Sequence, residues 1–266
     1  MIQENKNASQ PSIQDKELKN HDTDDTKNLY KIDDEFLKSI LHHNIPEYVD
    51  YHQTWQYIKP RWVKFLNNSF INNFLFCFKQ KMLFNALLTE LNIGDKVLQV
   101  GNVYGNLLPL IAKKIAANTK HTGGHIDVID VLPNQLELAK EKLKHFNNTD
   151  FWLQDASSVI HRHYSVISLF FIFSETPPDV KRHILENALS VVSEFNTKLV
   201  IIDYHHPSFY HPLRNIFRLV NTFLKPYAFS VWDSEIANIS PKLKNYKLVK
   251  KTMFGKLYQK IVITKY

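Results

Sequence analysis

Apolar positions along the 266-residue chain fall into three regimes: almost none, then a helical period, then short runs that switch between strand and helix. Residues 1–28 are rich in Asn, Gln, Asp, Lys and Ser and nearly devoid of large apolar side chains. They cannot bury enough surface to offset the entropy of ordering, so a disordered tail is expected. From Asp33 the period becomes helical, with Phe36, Ile40 and Leu41 on one face and Asp33 and Asp34 suited to cap it. A second block, residues 45–66, carries Tyr48, Tyr51, Trp55, Tyr57, Trp62 and Phe65. A third, Phe70 to Leu91, reads as one long helix, amphipathic or wholly buried. Residues 29–91 are therefore predicted to form a helical cap rich in aromatics. Its stripe serves as a packing face, as a greasy groove or membrane-facing surface for a flat lipophilic ligand, or as both.

Residues 92–266 alternate between strand and helix. Val97, Leu98 and Val100 predict a first strand, Gly101 and Gly105 interrupt it, and Leu107 to Ala117 predict a helix. The run 125–131 (H-I-D-V-I-D-V) is a second strand, followed by a helix opened by Pro133 with Leu136, Ala139, Leu143 and Phe146 on one face. A short strand spans Asp150 to Gln154, and the nearly unbroken apolar run Val166 to Phe173 predicts a central strand buried on both faces. Thr176 is suited to cap the next helix, with Pro177 first in it and Asp179 completing a box. Lys198 to Asp203 is a fifth strand, and Val249 to Phe254 with Leu257 to Thr264 form a hairpin at the sheet edge. The expected fold is α/β: a doubly wound, mostly parallel seven-stranded sheet with a C-terminal antiparallel hairpin and an N-terminal helical cap.

Composition narrows the function classes. At 44% hydrophobic and 13% aromatic the chain can bury a substantial core. Cys77 is the only cysteine, which excludes a disulfide within the chain and a cysteine metal cluster. No apolar run reaches the roughly 18 residues needed to span a bilayer, and the basic-then-apolar order of a secretory signal is missing. The net charge is +7, and residues 29–266 carry 29 basic and 20 acidic side chains. That balance suits anionic lipid, acidic ligands or nucleic acid. Nucleic acid is disfavoured, because the charge comes from 28 lysines and five arginines without a basic run or a recognisable binding motif. The tail has no arginine and many acids, unlike a mitochondrial transit peptide.

Candidate chemistry gathers where strands end. In a parallel sheet ligands bind at the carboxyl ends of strands near the switch point, and Gly101, Gly105, Asp130, Asp155, Glu175 and Asp203 all fall at such ends. Gly101 and Gly105 let the chain turn sharply and let a nucleotide-like ligand approach the main chain, although a plain strand-to-helix turn uses the same pair. Asp130 is placed to accept from both hydroxyls of a ribose. An NAD-binding domain also has an acid there, but its glycine fingerprint is broken by Val103. Asp155 is placed to accept from an exocyclic amine such as that of adenine. Glu175 can orient substrate or act as a base, or simply favour a helix start. Asp203 and His205 suit a divalent ion or proton transfer, or only cap the next helix. Arg214 can pair with a carboxylate, reach a lipid headgroup or lie solvated.

Two successive strand-end acids with a C-terminal antiparallel hairpin resemble class I S-adenosylmethionine-dependent methyltransferases over residues 90–266. That family usually has an acid where Gln99 stands and a glycine where Val103 stands. A closer resemblance accounts for both departures. The motifs V-Y-G-N-L, D-V-I-D-V-L-P-N-Q-L, L-Q-D-A-S-S, D-Y-H-H-P-x3-H-P-L-R and K-T-M-F-G-K-L-Y-Q-K, with I-P-E-Y and the aromatic run to Pro60, look like the rhodoquinone-biosynthesis methyltransferase-like family (RquA) over residues 45–264.

The closer resemblance implies that a methoxy group of ubiquinone is replaced by an amino group, with S-adenosylmethionine as amino donor and manganese as helper. Ser174 departs from it, since histidine is expected before the acid matched by Glu175. The implied cofactor residues are Gln99, Gly101, Gly105, Asp130 and Asp155, the catalytic ones Glu175, Asp203 and His205, and the metal ligands Asp203 and His205. Gln99 lacks the charge that holds the cofactor's α-amine as a cation elsewhere, which would leave that amine available as a nucleophile. Ubiquinone's isoprenoid tail implies a peripheral position on a membrane, the cytoplasmic side of the inner membrane, or the mitochondrial one in a eukaryote. The competing readings are an ordinary methyltransferase acting on a lipophilic quinone or phenol, and a quinone-binding module without catalysis.

Overall fold

A computed structural model describes residues 46, 48–49, 60–116, 123–158, 162–218, 227–233 and 235–266. The expected tail and most of the N-terminal part of the cap lie outside the described residues. Three helices, α1 (Pro60–Asn67), α2 (Ser69–Leu75) and α3 (Gln80–Leu88), lead into β1 (Lys96–Val100). There follow α4 (Leu107–Ile115), β2 (His125–Asp130), α5 (Pro133–Leu143), β3 (Thr149–Leu153), β4 (Val166–Phe170), α6 (Pro178–Phe195) and β5 (Lys198–Tyr204). After α7 (Ala228–Asp233) and two 3-10 turns, β6 (Tyr246–Met253) and β7 (Tyr258–Lys265) close the chain. The sheet order is β3-β2-β1-β4-β5-β7-β6, with the first five strands parallel, β7 antiparallel to β5, and β6 antiparallel to β7.

Alternation along the inner strands sorts side chains into two cores, because successive residues of a strand point to opposite faces. Val97, Val166, Phe170, Val200 and Ile202 pack on one face against α3, α4 and α5 through Leu87, Ile111 and Leu136. Leu98, Val100, Ile167, Leu169 and Ile201 pack on the other against α6 through Leu185, Ala188 and Val192. Every residue of β4 is buried, as its nearly unbroken apolar sequence predicts. The strand order reverses between β1 and β4, and that crevice is where the fold receives ligands.

Three local expectations are corrected. The long helix over 70–91 is two helices, because Cys77 and Phe78 adopt left-handed backbone angles (φ 51° and 57°) and Phe78 N–H donates to Asn73 O at 2.7 Å. No glycine or proline marks this break. It turns Phe76 inward onto Phe171, with ring centroids 5.0 Å apart, and leaves Phe74 and Phe78 outside. The strand from Val166 stops at Phe170 rather than Phe173, since Phe171 lies at φ 59°, an uncommon angle for a bulky side chain. Thr176 does not cap α6. Its hydroxyl donates to Ile172 O at 3.1 Å, and the helix starts at Pro178 with Pro177 before it.

Gly124 is a joint closed in by backbone and by Ile115. A Cβ there would sit 2.5 Å from Asp95 O and 2.7 Å from Ile115 O, both backbone atoms. Gly124→Ala is therefore expected to lower unfolding free energy by about 1–3 kcal/mol, the usual cost of overpacking. Urea denaturation measures it.

Candidate cofactor and substrate site

β1 runs out at Gly101, whose positive φ of 77° lets the chain turn over the sheet edge while its N–H donates to Ile129 O at 2.7 Å. An added Cβ there would sit 2.9 Å from Ile172 Cδ1. β2 runs out at Asp130, and its carboxylate joins the two strand ends. Oδ2 accepts from Asn102 N–H at 2.8 Å and Oδ1 from Leu132 N–H at 2.9 Å. The Val131 N–H donates to the same carboxylate as well. Burial pushes this carboxyl up to about 6, against the pull of those N–H donors, and the negative Glu175 adds to the rise.

The loop between Gly101 and Gly105 is braced from behind. Asn102 Nδ2 donates to Gln135 Oε1 at 2.9 Å, and Gln135 Nε2 donates to the Tyr104 hydroxyl at 3.2 Å. Lys142 Nζ donates to Val103 O at 2.6 Å and to Asn102 Oδ1 at 3.2 Å, and desolvation lowers its ammonium to about 7. Asn102, Gln135 and Lys142 escape the sequence reading, because nothing local in the chain joins positions about 30 to 40 residues apart.

A cavity of about 200 Å³ opens in front of this loop. Gly101, Asn102, Asp130 and Gln135 form its polar wall, and Leu66, Leu75, Phe76, Phe171 and Tyr204 form its apolar wall. Glu175 and Tyr48 complete the lining. Of the residues singled out from sequence, the structure brings Gly101, Asp130 and Glu175 together here.

The remaining candidates sit elsewhere. Gln99 is fully buried beneath the turn, where Nε2 donates to Val100 O at 2.8 Å and Gly101 O at 3.3 Å while Oε1 has no hydrogen-bond partner. Gly105, at φ 85°, ends the loop but does not line the cavity. The Asp155 carboxylate lies just outside, accepting from Tyr48 OH at 2.8 Å, Ser157 N–H at 2.8 Å and Ser157 Oγ at 2.6 Å. It thereby positions Tyr48 at the cavity wall. The Tyr48 hydroxyl, buried against that carboxylate, is held strongly in its protonated form.

Asp203 and His205 do not form the expected metal pair. Asp203 is sealed from solvent and accepts from Phe173 N–H (2.9 Å), Ser174 N–H (3.2 Å) and Tyr204 N–H (2.7 Å). His205 turns Nδ1 to the carbonyls of His206 and Lys256, each at 2.9 Å, and Nε2 toward Glu235 at 3.7 Å. A carboxylate committed to three donors and an imidazole turned to carbonyls do not fit a divalent ion. Neither residue lines the cavity. Among the described residues one trio, His125, Asp127 and Asp150, has metal-like spacing, but it begins β2, about 16 Å along the strand from Asp130. There Tyr164 and Arg162 already hold Asp127, at 2.6 and 3.3 Å.

Asp203 is thus a brace that fixes the turn carrying Glu175. Asp203→Ala leaves three N–H donors without their acceptor and is expected to cost about 2–4 kcal/mol by denaturant unfolding, since each orphaned buried donor costs about 1–3 kcal/mol. His205→Ala is expected to change stability little. Any metal dependence of activity should be unmoved by either substitution, which a metal titration checks.

Among solved structures, an O-methyltransferase family protein from Burkholderia thailandensis aligns with 90% of the chain and 69% of its own length, at 12% identity and a TM-score of 0.60. The pyocyanin biosynthetic protein PhzM aligns with 77% of the chain and 61% of its own length, at 14% identity and a TM-score of 0.54. No protein-family model matches the chain, and no curated protein matches it. The strand order, the antiparallel C-terminal pair and these likenesses give the chain the class I methyltransferase fold.

Proposed function

We propose that the chain binds S-adenosylmethionine along the Gly101 turn and transfers a group between it and a flat lipophilic ring held in the apolar half of the same cavity. The observation that carries this reading is Asp130: a desolvated carboxylate at a strand end, facing the cavity beside a glycine turn. S-adenosylmethionine brings an activated methyl group and an α-amine. Asp130 receives the ribose hydroxyls, and Gly101 lets the backbone lie close to the ligand. Phe76, Phe171 and Tyr204 exclude water and offer ring faces for stacking. Glu175, which lines the same cavity, takes or returns a proton at the reacting substituent.

The finer reading is amination of ubiquinone to rhodoquinone. Its support is the ordered set of motifs, together with Gln99, an amide at the strand position beneath the turn where the wider family usually carries an acid. The residues expected to hold manganese do not fit it, so no step here runs through a metal. Ordinary methyl transfer to a ring oxygen is the second reading, supported by the likeness to an O-methyltransferase family protein. Incubating the purified chain with S-adenosylmethionine and either ubiquinone or, in parallel, a demethylated phenolic analogue of it separates them by mass spectrometry. Amination yields rhodoquinone, whereas methyl transfer to a phenolic ring yields S-adenosylhomocysteine and a product heavier by one methyl. If calorimetry detects no heat with S-adenosylmethionine, both enzyme readings fail.

Asp130→Ala should weaken cofactor binding about tenfold to a hundredfold, the equivalent of about 1.5–3 kcal/mol for a charge-assisted hydrogen bond. In the unsubstituted chain affinity should fall as pH drops through about 6, because protonation removes an acceptor. Folding stability should show the opposite trend. The folded carboxyl is raised, so it holds a proton between the ordinary carboxylate range and about 6, and the stability that proton contributes is lost as pH rises through this window. Calorimetry across pH, with Asp130→Ala as the flat control, checks both.

A further inference from the structure

The exposed aromatic side chains are gathered, not scattered. Phe70 (68% exposed), Phe74 and Phe78 point outward, and Phe78 meets the other two edge to face at 6.3 and 5.9 Å. They lie on and just after α2, whose Leu75, with Phe76 next to it, lines the cavity. A second exposed set follows β5: Phe209, Tyr210 (90% exposed) and Ile216. The β6–β7 turn connects the two. Lys79 Nζ lies 4.8 Å over the Phe254 ring, His211 packs on that ring at 5.0 Å, and Ser208 N–H donates to Gly255 O at 3.0 Å. Single exposed aromatics are ordinary on a soluble surface, but a contiguous group beside a cavity marks a docking face.

Charge selects the occupant. Residues 60–89 contain four basic side chains and no acid, residues 204–232 three and none, and residues 246–266 six and none. Glu235, which reaches this region through His205, is already paired with Lys250. Arg214 keeps its guanidinium 5.4 Å over the Phe209 ring, so charge and aromatic surface occur side by side. Among the described residues, an aromatic centre in a mostly basic surround, with Glu235 paired to Lys250, complements an apolar layer faced by negative charge.

We propose that this face docks on an anionic lipid bilayer, with Phe70, Phe74, Phe78, Phe209 and Tyr210 seated at the headgroup boundary and Lys81, Arg214 and Lys256 against the phosphates. Docking itself stands on exposure and charge. Its use rests on the reading given above: a ring on a lipid tail would pass from the bilayer to the cavity along α2 without crossing water.

Co-sedimentation of the full chain with phosphatidylcholine vesicles, with and without phosphatidylglycerol, tests this. Binding is expected with the anionic lipid and should be about tenfold weaker or more without it or at raised ionic strength. The triple variant Phe70→Ser, Phe74→Ser, Phe78→Ser should lose about tenfold in partitioning, as expected when buried aromatic area is removed. A second variant, Phe209→Ser with Tyr210→Ser, should weaken binding independently. Both variants should keep the thermal midpoint and S-adenosylmethionine affinity. The proposal is overturned if anionic vesicles leave the chain in solution, if neutral vesicles bind it equally, or if both variants sediment like the parent. It is equally overturned if the substitutions abolish a concentration-dependent dimer seen without lipid, since the face then belongs to a second copy. Vesicle binding with no calorimetric response to S-adenosylmethionine would sink the enzyme reading and leave the docking face intact.

Discussion

Two strand-end carboxylates carry the architecture, and what separates them is whether a cavity lies in front of each. Asp203 is closed to water and bonded to three backbone N–H groups, so it ties the end of β5 to the turn after β4 and has nothing left to offer a ligand. Asp130 has the same chemistry at the end of β2 and is likewise restrained by backbone N–H groups, those of Asn102, Val131 and Leu132, but it faces a cavity. One is a rivet and the other a receptor. The arrangement of Gly101, Glu175 and the aromatic wall follows from both, since Asp203 sets where Glu175 emerges and Asp130 sets where the glycine loop lies.

Much of this was legible in the chain. Alternating strand and helix runs, apolar on both faces at Val166 to Phe170, lead directly to a doubly wound sheet. Gly101 and Asp130 announce themselves because a glycine after an apolar run, and an acid ending the next, are features of local sequence. Asp203 has the same local signature and the opposite use, for what distinguishes it is the N–H groups of Phe173 and Ser174 arriving from 30 residues away. Local spacing cannot express that. The same holds for Lys142 behind the glycine loop and for Tyr48 against Asp155, at a separation of 107 residues. The break at Cys77 and Phe78 was hidden for a different reason: left-handed turns usually advertise a glycine, and here packing of Phe76 onto Phe171 imposes the turn on residues that do not prefer it.

The aromatic residues form a continuous buried layer that reaches the cavity at Phe170, Phe171 and Tyr204. Phe84 packs on Phe170, Phe170 on Phe171, Phe171 on Tyr204, and Tyr204 on Tyr258 and Phe217. Burial holds the hydroxyls of Tyr204 and Tyr258 far above their ordinary range, so both stay protonated and uncharged against the apolar wall. A wall of this kind supplies shape and dryness, while the polar chemistry stays on the Gly101 side.

The place of β7 has a consequence for how the chain comes into being. The last strand in sequence is not the last in space: it lies between β5 and β6 and pairs with both. Until residues 258–265 have left the ribosome, β5 presents an unpaired edge of Leu, Val and Ile, the kind of edge that invites pairing with other chains. The sheet therefore closes only once residues 258–265 are available to pair with β5, and until then the core around Val200 and Ile202 is incomplete.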